Sequence, residues 1–426
     1  MPAAATRSAI TRYVWSTLSM TGGLIGHTVG LVLLAKALGP AQFGIFTIIT
    51  TASNFGLVWC GLGSGEAMRR LIARDRAAYP RAAGHALTLL AATGVLASLA
   101  VVAVMTRYVP VNAVSIGLLV VSNILLFAWS GFSEQILLAH GNVTGANIIN
   151  MGSGFARAGM VAVACLGFGV ADIQTYAYWH FGYYAVLSLY CVGAVARYGR
   201  PQLCLLRDEL LRGATISFAG LFIMLRQNAD VLALSAVASP TVVGIYAVAR
   251  RIVGTASVVS ASLDRLVYSS FARAGRNGPA ATLALARHYM VYATALCLAA
   301  SLALYVMAPL VPMIFSRSYA DSVPLVRLLS WTILLTSLQF LASDALNACD
   351  RHEARLAAEV TGGLIGVAAL AALTYAFGLD GIVASIYVAG LTVAATLWGT
   401  LVILARRSQR DSRPPLPTTP DLYATR

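Results

Sequence analysis

Two short stretches of this sequence decide its architecture, because they repeat one pattern. Residues 34–46 read LAKALGPAQFGIF, and residues 234–246 read LSAVASPTVVGIY. At a constant offset of 200 residues, the proline and the glycine of the first copy return as Pro240 and Gly244. Chance similarity between two apolar hairpins is the alternative, which a matched proline and glycine in a short turn disfavour. The repeat predicts that the chain consists of two halves built alike.

The composition excludes most classes of soluble protein. The chain of 426 residues is 58% hydrophobic and 11% charged, with a mean hydropathy of +0.76. An ordinary soluble domain has about 25% charged residues, and even a large one buries only about 75% of its surface. A chain this apolar could not hide its apolar surface from water, which excludes a soluble enzyme, a disordered chain and a disulfide scaffold. We therefore predict an all-α, polytopic membrane protein.

Twelve apolar stretches are long enough to cross a membrane, which takes about 20 residues in a helix. The first is expected to be an uncleaved span, because it is too long for the apolar core of a signal peptide. We place the spans at about 14–37, 43–65, 84–106, 112–137, 146–169, 172–196, 213–236, 241–267, 288–315, 324–348, 356–378 and 380–404.

The repeat and the spans together predict the domain organisation. Six spans lie in each half, so both copies of the motif enter the membrane in the same direction. This predicts two six-helix lobes that are related by an axis along the membrane normal, with a central cavity at the seam. We assign residues 1–200 to the N-terminal lobe, residues 201–405 to the C-terminal lobe and residues 406–426 to a disordered cytoplasmic tail.

The distribution of arginines predicts the orientation. The formal net charge is +14, from 30 Lys and Arg against 16 Asp and Glu. Such an excess on a soluble protein would suggest nucleic acid, but these cations gather in every second loop, which is typical of the cytoplasmic side of membrane proteins. We therefore predict cytoplasmic termini and no nucleic-acid partner. The basic loops contain Arg69, Arg70, Arg74, Arg76 and Arg81; Arg197, Arg200, Arg207 and Arg212; Arg273, Arg276 and Arg287; and Arg351 and Arg355.

Ionisable residues inside the predicted spans of the first half are candidates for function. An Arg at mid-bilayer costs about 2.5–3.5 kcal/mol on insertion scales, so it should face protein or a water-filled cavity. By helical rise, Arg157 of span 5 lies about 16 Å into the membrane. It could be a cavity cation or a hydrogen-bond hub inside its lobe. In span 1, His27 lies on a face of small residues, which favours a packing role over proton coupling.

Two spans of the second half have charged residues on one face. In span 7, Arg226 and Asp230 are four residues apart, which predicts either a salt bridge that holds the bundle together or an anion-binding or gating pair. Span 8 has a stripe of polar or small residues at helical spacing, which indicates close helix packing or a cavity-lining face. Its charged members favour the cavity. The stripe consists of Arg250, Gly254, Ser257, Ala261, Asp264 and Tyr268.

Aromatic residues crowd span 6, where they would normally mark the membrane interface but could also stack on sugar rings. The sequence has no Walker A motif and no HExxH motif, and its six cysteines are scattered. We therefore predict no ATP hydrolysis, no metal site, no cofactor and no catalytic residues. The aromatic group of span 6 consists of Tyr176, Tyr178, Trp179, His180, Tyr183, Tyr184 and Tyr190.

Three longer motifs occur in a fixed order along the chain. They are LAKALGPAQFGIFTIITTASNFGLVWCGLGSGEAMRRLIA at residues 34–73, NADVLALSAVASPTVVGIYAVARRI at 228–252 and IFSRSYADSVPLVRLLS at 314–330. In this order, and over roughly residues 10–405, they resemble the polysaccharide-biosynthesis flippases of the multidrug/oligosaccharidyl-lipid/polysaccharide exporter superfamily.

The resemblance implies a function and a set of site residues. It implies a flippase in the bacterial inner membrane that moves undecaprenyl-diphosphate-linked oligosaccharides, with a polysaccharide polymerase and a chain-length regulator as partners beside membrane lipids. It also implies a central cationic cavity, and it places Asp230 on the aspartate of the family's span-7 pattern. The candidate cavity residues are Arg226, Arg250, Arg157, Asp230, Asp264 and His27.

Three alternatives remain at this point. A cation-coupled multidrug exporter of the same superfamily is the nearest; its cation-binding cavity would need carboxylates, and the predicted spans contain six Arg against seven Asp and Glu. A membrane glycan polymerase or ligase would need catalytic groups on a long external loop, and no predicted external loop exceeds roughly ten residues. A scaffold of a polysaccharide-assembly complex that transports nothing is the third. We predict a transporter and not an enzyme.

Overall fold

The computed structural model describes the backbone of residues 2–411. It describes the side chains of this range except at residues 2–20, 216, 219, 223, 226, 261, 262, 264–266, 268, 269 and 409–411. Two candidate site residues, Arg226 and Asp264, thus have side chains outside the described part. The predicted tail lies outside it from residue 412 onward.

Helices make up 89% of the chain, and no strand occurs between residues 2 and 411. Two short π-helical turns, Ser122–Leu126 and Val163–Gly167, continue α-helices without a break. In chain order the α-helices are α1 (Pro2–Trp59), α2 (Ser64–Arg74), α3 (Tyr79–Tyr108), α4 (Ala113–Val121), α5 (Phe127–Ala139), α6 (Val143–Ala162), α7 (Ile173–Ala196), α8 (Arg207–Val237), α9 (Pro240–Ala256), α10 (Val258–Gly275), α11 (Pro279–Met307), α12 (Val311–Ile314), α13 (Ser322–Ser330), α14 (Thr332–Ala348) and α15 (His352–Asp411).

The long helix α15 is a hairpin. Its 60 residues would be about 90 Å long as one rod, three times the thickness of the hydrocarbon core. The chain reverses at Gly378, whose φ of 58° and ψ of −126° are readily adopted only by glycine. The two arms then pack antiparallel: Gly366 meets Ala389, and the Thr396 hydroxyl donates to the carbonyl of Ala358 at 3.5 Å.

Helix α1 also reverses, at Gly39, which has a φ of 69° and a ψ of 172°. The arm before Gly39 runs along α6, and the arm after it runs along α7. Because α6 and α7 are antiparallel, the two arms of α1 are antiparallel as well. The contacts are Gly23 with Asn150 and Gly30 with Ala158 on the first arm, and Gln42 with Ile173 and Phe46 with His180 on the second.

The helices correspond to the twelve predicted spans. Eight stretches are long and apolar enough to cross a membrane, and the pair Arg207–Phe222 and Gln227–Val237, bent by 57°, makes a ninth. Two of the eight, Thr21–Trp59 and His352–Ser408, contain the hairpins of α1 and α15 and so supply two spans each. Helix α7 has the length of a span, and its tyrosines lower its hydropathy.

Predicted span 8 is not one continuous helix. Helix α9 ends at Ala256 and α10 begins at Val258, so the break falls inside the predicted polar stripe. The hydroxyls of Thr255 and Ser257 donate to carbonyls four residues earlier, at 2.9 and 3.0 Å. Such bonds compete with the helical ladder and bend helices.

The helices cluster into two compact units. The first runs from the N-terminus to Arg250 and includes Ala308–Leu325 and Phe377–Leu379; the second comprises Arg251–Met307, Val326–Ala376 and the chain from Asp380 onward. Helix α8 and most of α9, which follow the predicted lobe boundary at residue 200, thus cluster with the first half. The predicted lobe boundaries stay a prediction.

The repeated motif is a contact surface within the first unit. A β-carbon on Gly44 would lie 1.8 Å from the carbonyl oxygen of Pro240, and one on Gly244 would lie 2.0 Å from that of Pro40. The contact is therefore reciprocal, as a local two-fold axis between the two copies requires. Each matched glycine therefore leaves room for the backbone carbonyl of the proline in the opposite copy.

Candidate functional site

A cluster of polar and aromatic residues forms on α6 and α7. The two helices are joined side by side where the Tyr183 hydroxyl donates to the carbonyl of Ser153 at 2.7 Å. One helical turn further along α6, Arg157 lies near the phenol groups of Tyr176, Tyr183 and Tyr184. The predicted cavity cation is therefore surrounded by neutral phenols of the neighbouring helix.

Arg157 has no carboxylate partner in the described part of the chain. None of the ion pairs found there involves it. Its Nε is buried and lacks a hydrogen-bond partner. A half-buried guanidinium whose Nε has no hydrogen-bond partner is an arrangement that an incoming anion could complete.

Behind Arg157, a buried histidine extends the network. His180 is fully buried, its Nδ1 lies 3.4 Å from the Tyr176 hydroxyl, and its Nε2 lies 3.1 Å from Asn123 Oδ1. Asn123 lies in the π-helical turn Ser122–Leu126, which changes the face on which later side chains emerge. A π-helical turn has no simple sequence signal, so the role of Asn123 could not be predicted.

For part of the aromatic group of span 6, both predicted roles, marking the membrane interface and stacking on sugar rings, are wrong. Tyr176 and Tyr184 are buried, and His180 is buried beside them, so these three neither mark a membrane interface nor offer a face to a sugar. They are buried because they pack between α1, α5 and the Arg157 side of α6. Tyr178 and Tyr190 are exposed.

In the second half, Asp230 pairs with a residue that the sequence analysis did not assign to it. Arg250 Nε lies 2.6 Å from Asp230 Oδ2, and the Tyr246 hydroxyl donates to the same oxygen. A second nitrogen of Arg250 donates to the carbonyl of Gln227. The carboxylate is almost buried, with 7% of its side chain exposed, against 33% for Arg250.

This pair follows from the hairpin of α8 and α9. Asp230 and Arg250 are equally far from the tight turn near residue 240, so an antiparallel hairpin brings them opposite each other. The equal separation of these two residues from the turn could be read from the sequence. The predicted pairing of Asp230 with Arg226 stays a prediction, because the Arg226 side chain lies outside the described residues.

We expect Arg250→Gln alone to destabilise the protein by about 3 kcal/mol, because it leaves the Asp230 carboxylate buried without its counter-charge. The double variant Arg250→Gln with Asp230→Asn should regain most of that loss, since no buried charge remains. The check is the thermal midpoint of the detergent-solubilised protein. If the double variant were as unstable as the single one, the pair would not account for the loss.

His27 belongs to a helix contact. Around it on α1, small residues meet the backbone of α6 so closely that a β-carbon on Gly26 would lie 2.5 Å from the carbonyl carbon of Gly154. His27 itself is partly buried. Small residues that let two helices approach are a common packing device in membranes. A role of His27 in proton coupling stays a prediction.

The candidate site residues with described side chains lie in two groups on different helices. His27 and Arg157 lie on the adjoining helices α1 and α6, while Asp230 and Arg250 lie on α8 and α9. No hydrogen bond or ion pair among the described residues joins Arg157 to Asp230 or Arg250.

Solved structures share this fold, whereas no protein-family model and no curated protein match the chain. An inward-facing multidrug resistance MATE family transporter of the MOP superfamily matches with a TM-score of 0.69 and 16% identity, over 93% of this chain and 100% of that one. The lipid II flippase MurJ in an inward closed conformation matches with 0.67 and 11%, over 94% and 91%. A MOP superfamily transporter from Pyrococcus furiosus matches with 0.60 and 17%, over 93% and 96%.

These matches confirm the predicted fold class. The fold is that of the MOP superfamily transporters, which have two lobes of six membrane helices. At 11–17% identity the likeness shows the fold alone. The neighbours are two transporters and a flippase.

Proposed function

We propose that this protein is a flippase that translocates undecaprenyl-diphosphate-linked oligosaccharide repeat units across the bacterial inner membrane, for the synthesis of a surface or exported polysaccharide. One observation carries the proposal: Arg157 is a guanidinium inside a membrane helix without a carboxylate partner in the described part of the chain. A diphosphate that enters a low-dielectric slot loses its hydration, which is costly unless cations replace it. Arginine suits this task because its fork of N–H groups matches phosphate oxygens.

The rest of the proposed cavity follows from the same chemistry. Arg250 keeps a third of its side chain exposed beside Asp230, so it can contact an anion while its pair remains formed. We assign Arg226, Asp264 and His27 to the same cavity, between lobes of residues 1–200 and 201–405. Undecaprenyl-linked substrates, membrane lipids, a polymerase and a chain-length regulator are the proposed partners.

A cation-coupled multidrug exporter is the second candidate, and the fold of the MATE family transporter favours it. Export of cationic drugs needs an available carboxylate in the cavity. Asp230 is a carboxylate in a membrane helix, and its Oδ1 is buried without a hydrogen-bond partner. Its charge is nevertheless paired with Arg250, which together with Tyr246 bonds Oδ2. The electrostatics of the described residues therefore favour an anionic substrate.

Reconstitution distinguishes the two candidates. Purified protein in proteoliposomes should move a fluorescent undecaprenyl-diphosphate-linked sugar from the inner to the outer leaflet, as measured by its accessibility to a membrane-impermeant quencher. The same vesicles should not accumulate a lipophilic cation such as ethidium under a proton or sodium gradient. Ethidium transport without lipid translocation would support the multidrug exporter and contradict the flippase.

Orientation is tested by reporter fusions. The arginine-rich loops predict cytoplasmic positions for Arg76, Arg207 and Arg410. Alkaline phosphatase fused at each position should be inactive, and a fluorescent protein fused there should fluoresce. Phosphatase activity at any of the three would overturn the predicted topology.

A further inference from the structure

A polar cavity of about 620 Å³ opens at one end of the second unit. It lies where α10 and α14 end and α15 begins, and it shares no residue with the proposed substrate site. The arginine-rich loops beside it predict that this end faces the cytoplasm, at the level of the lipid headgroups.

The connection between α5 and α6 in the first half resembles the connection between α14 and α15; each is called a corner below. Gly141 and Asp350 correspond at an offset of 209 residues. Each follows the end of a helix and has a positive φ, which is 78° at Gly141 and 57° at Asp350. In both copies, the amide of the next residue donates to the carbonyl five residues earlier. The turn from the end of α5 to the start of α6 therefore shares this backbone conformation with the turn from the end of α14 to the start of α15.

The two copies differ in their side chains. In the first half, Ala146 packs in a buried apolar cluster with Leu137 and Ile149. In the second half, the matching positions line the cavity with polar groups. Because the first copy adopts the same backbone without them, these polar groups are not needed to form the corner. The matched pairs are Leu138 and Asn347, Val143 and His352, and Ala146 and Arg355.

Three charged groups of the cavity, Arg276, Asp350 and Arg355, retain hydrogen-bonding capacity. Arg355 Nη1 lies 3.3 Å from Ser343 Oγ, and its Nε lies 3.7 Å from Glu359 Oε1, both longer than the roughly 2.7–2.9 Å of a strong charged hydrogen bond. Arg276 is exposed, and the Asp350 side chain is 98% exposed. None of these groups is held tightly within the cavity.

Cations and anions line the cavity together. Arg276 and Arg355 are guanidinium groups suited to a phosphate, and Asp344 and Asp350 are carboxylates suited to an ammonium group. Phe271 adds an apolar wall. A purely anionic ligand would meet the two aspartates, and a purely cationic ligand would meet the two arginines. A ligand with both charges satisfies all four.

We propose that this cavity binds the headgroup of a zwitterionic aminophospholipid of the cytoplasmic leaflet, with its phosphate at Arg276 and Arg355 and its ammonium at Asp344 and Asp350. In the predicted topology, the cavity opens at the level where the membrane presents such headgroups. The proposal does not depend on the translocated substrate, so it stands or falls separately from the flippase assignment.

Native mass spectrometry of the purified protein tests the proposal. Phosphatidylethanolamine, phosphatidylcholine and phosphatidylglycerol with identical acyl chains are added in turn to delipidated protein. Phosphatidylethanolamine should bind about tenfold more tightly than the other two, because only it offers both a phosphate and an ammonium with N–H donors. Soluble phosphoethanolamine should compete only weakly, since it lacks the acyl chains.

Two sets of variants locate the binding. The triple variant Asn347→Leu, His352→Val and Arg355→Ala introduces the residues of the first half, which the same backbone accommodates, so it should fold and lose the preference for phosphatidylethanolamine. The single variants Arg276→Gln and Asp344→Asn should each weaken binding of phosphatidylethanolamine about tenfold. Arg273→Gln is the matched control, because Arg273 is an exposed arginine of the same helix end that bonds Ser270 and does not line the cavity.

Each other outcome overturns the proposal. Equal retention of the three lipids would show a non-selective surface, and tighter retention of phosphatidylglycerol would show an anion site. Soluble phosphoethanolamine binding as tightly as the lipid would assign the cavity to a soluble ligand. Unchanged binding in the triple variant would place the lipid elsewhere on the protein.

Discussion

Arg157→Ala is expected to abolish translocation of a lipid diphosphate while the protein remains folded in the membrane. The arginine can offer two parallel charge-assisted hydrogen bonds to phosphate, each worth about 1.5–3 kcal/mol. Losing both corresponds to at least about a 100-fold fall in transport rate at limiting substrate. The measurement is leaflet translocation of the labelled lipid in proteoliposomes, normalised to the amount of reconstituted protein.

The fold should tolerate this substitution for a reason visible in the structure. The groups around Arg157 are phenols, which are neutral, so its removal leaves no buried charge without a partner. Removing Arg250 does leave such a charge, on Asp230. Experiments should therefore distinguish the two arginines. The Arg157→Ala variant should lose transport and keep its stability, whereas the Arg250→Gln variant should lose stability.

Two further variants sharpen the Arg157 experiment. Arg157→Lys should retain part of the activity, because the charge survives while the two parallel hydrogen bonds do not. Arg107→Ala is the matched control, since Arg107 is an exposed arginine in the last turn of α3. A stable, fully active Arg157→Ala protein would contradict the proposed role. Disappearance of that variant from the membrane would show instead that the arginine braces the helices.

The helices and their reversals could largely be predicted from the sequence. Hydropathy located the spans because about 20 apolar residues must cross the hydrocarbon core. The reversal at Gly39 falls between two predicted spans, and the reversal at Gly378 falls on the last residue of predicted span 11; glycine adopts the backbone angles of both at little cost. The repeat around Gly44 and Gly244 was visible because the mutual contact of the two turns restricts the residues at both positions.

Side-chain partners were harder to predict. The i, i+4 spacing suggested Arg226 as the partner of Asp230, but spacing along one helix says nothing about residues that face it from the next. Arg250 faces it because the turn between α8 and α9 is short. The buried tyrosines of α7 were mistaken for interface or stacking residues, because composition does not show which side of a helix packs against a neighbour.

The second large effect is expected at the repeated motif. Gly44→Ala should lower the thermal midpoint of the detergent-solubilised protein by several degrees. The added β-carbon would lie 1.8 Å from the Pro240 carbonyl oxygen, which belongs to the backbone and cannot rotate away. The helices must then separate, and overpacking of this kind costs about 1–3 kcal/mol. Gly244→Ala should cost a similar amount, because its β-carbon would lie 2.0 Å from the Pro40 carbonyl oxygen.

Glycines elsewhere in the same unit provide the control. Gly117 lies in α4 and Gly131 lies in α5, and a β-carbon at either position would meet no atom within 4 Å. Alanine at these positions should leave the thermal midpoint unchanged or raise it, because alanine favours the helix over glycine by about 1 kcal/mol. Equal losses at all four glycines would mean that backbone flexibility, and not the contact between the repeats, sets the result.

The double variant Gly44→Ala with Gly244→Ala tests whether the two contacts form one surface. Substitutions at independent sites add, whereas those that share a contact do not. Each glycine lies near the backbone nitrogen of the other, 2.9 and 3.0 Å from the position of an added β-carbon. A single separation of the two turns would therefore relieve both clashes. The double variant should lose clearly less stability than the sum of the single variants, and strict additivity would show that the two turns give way independently.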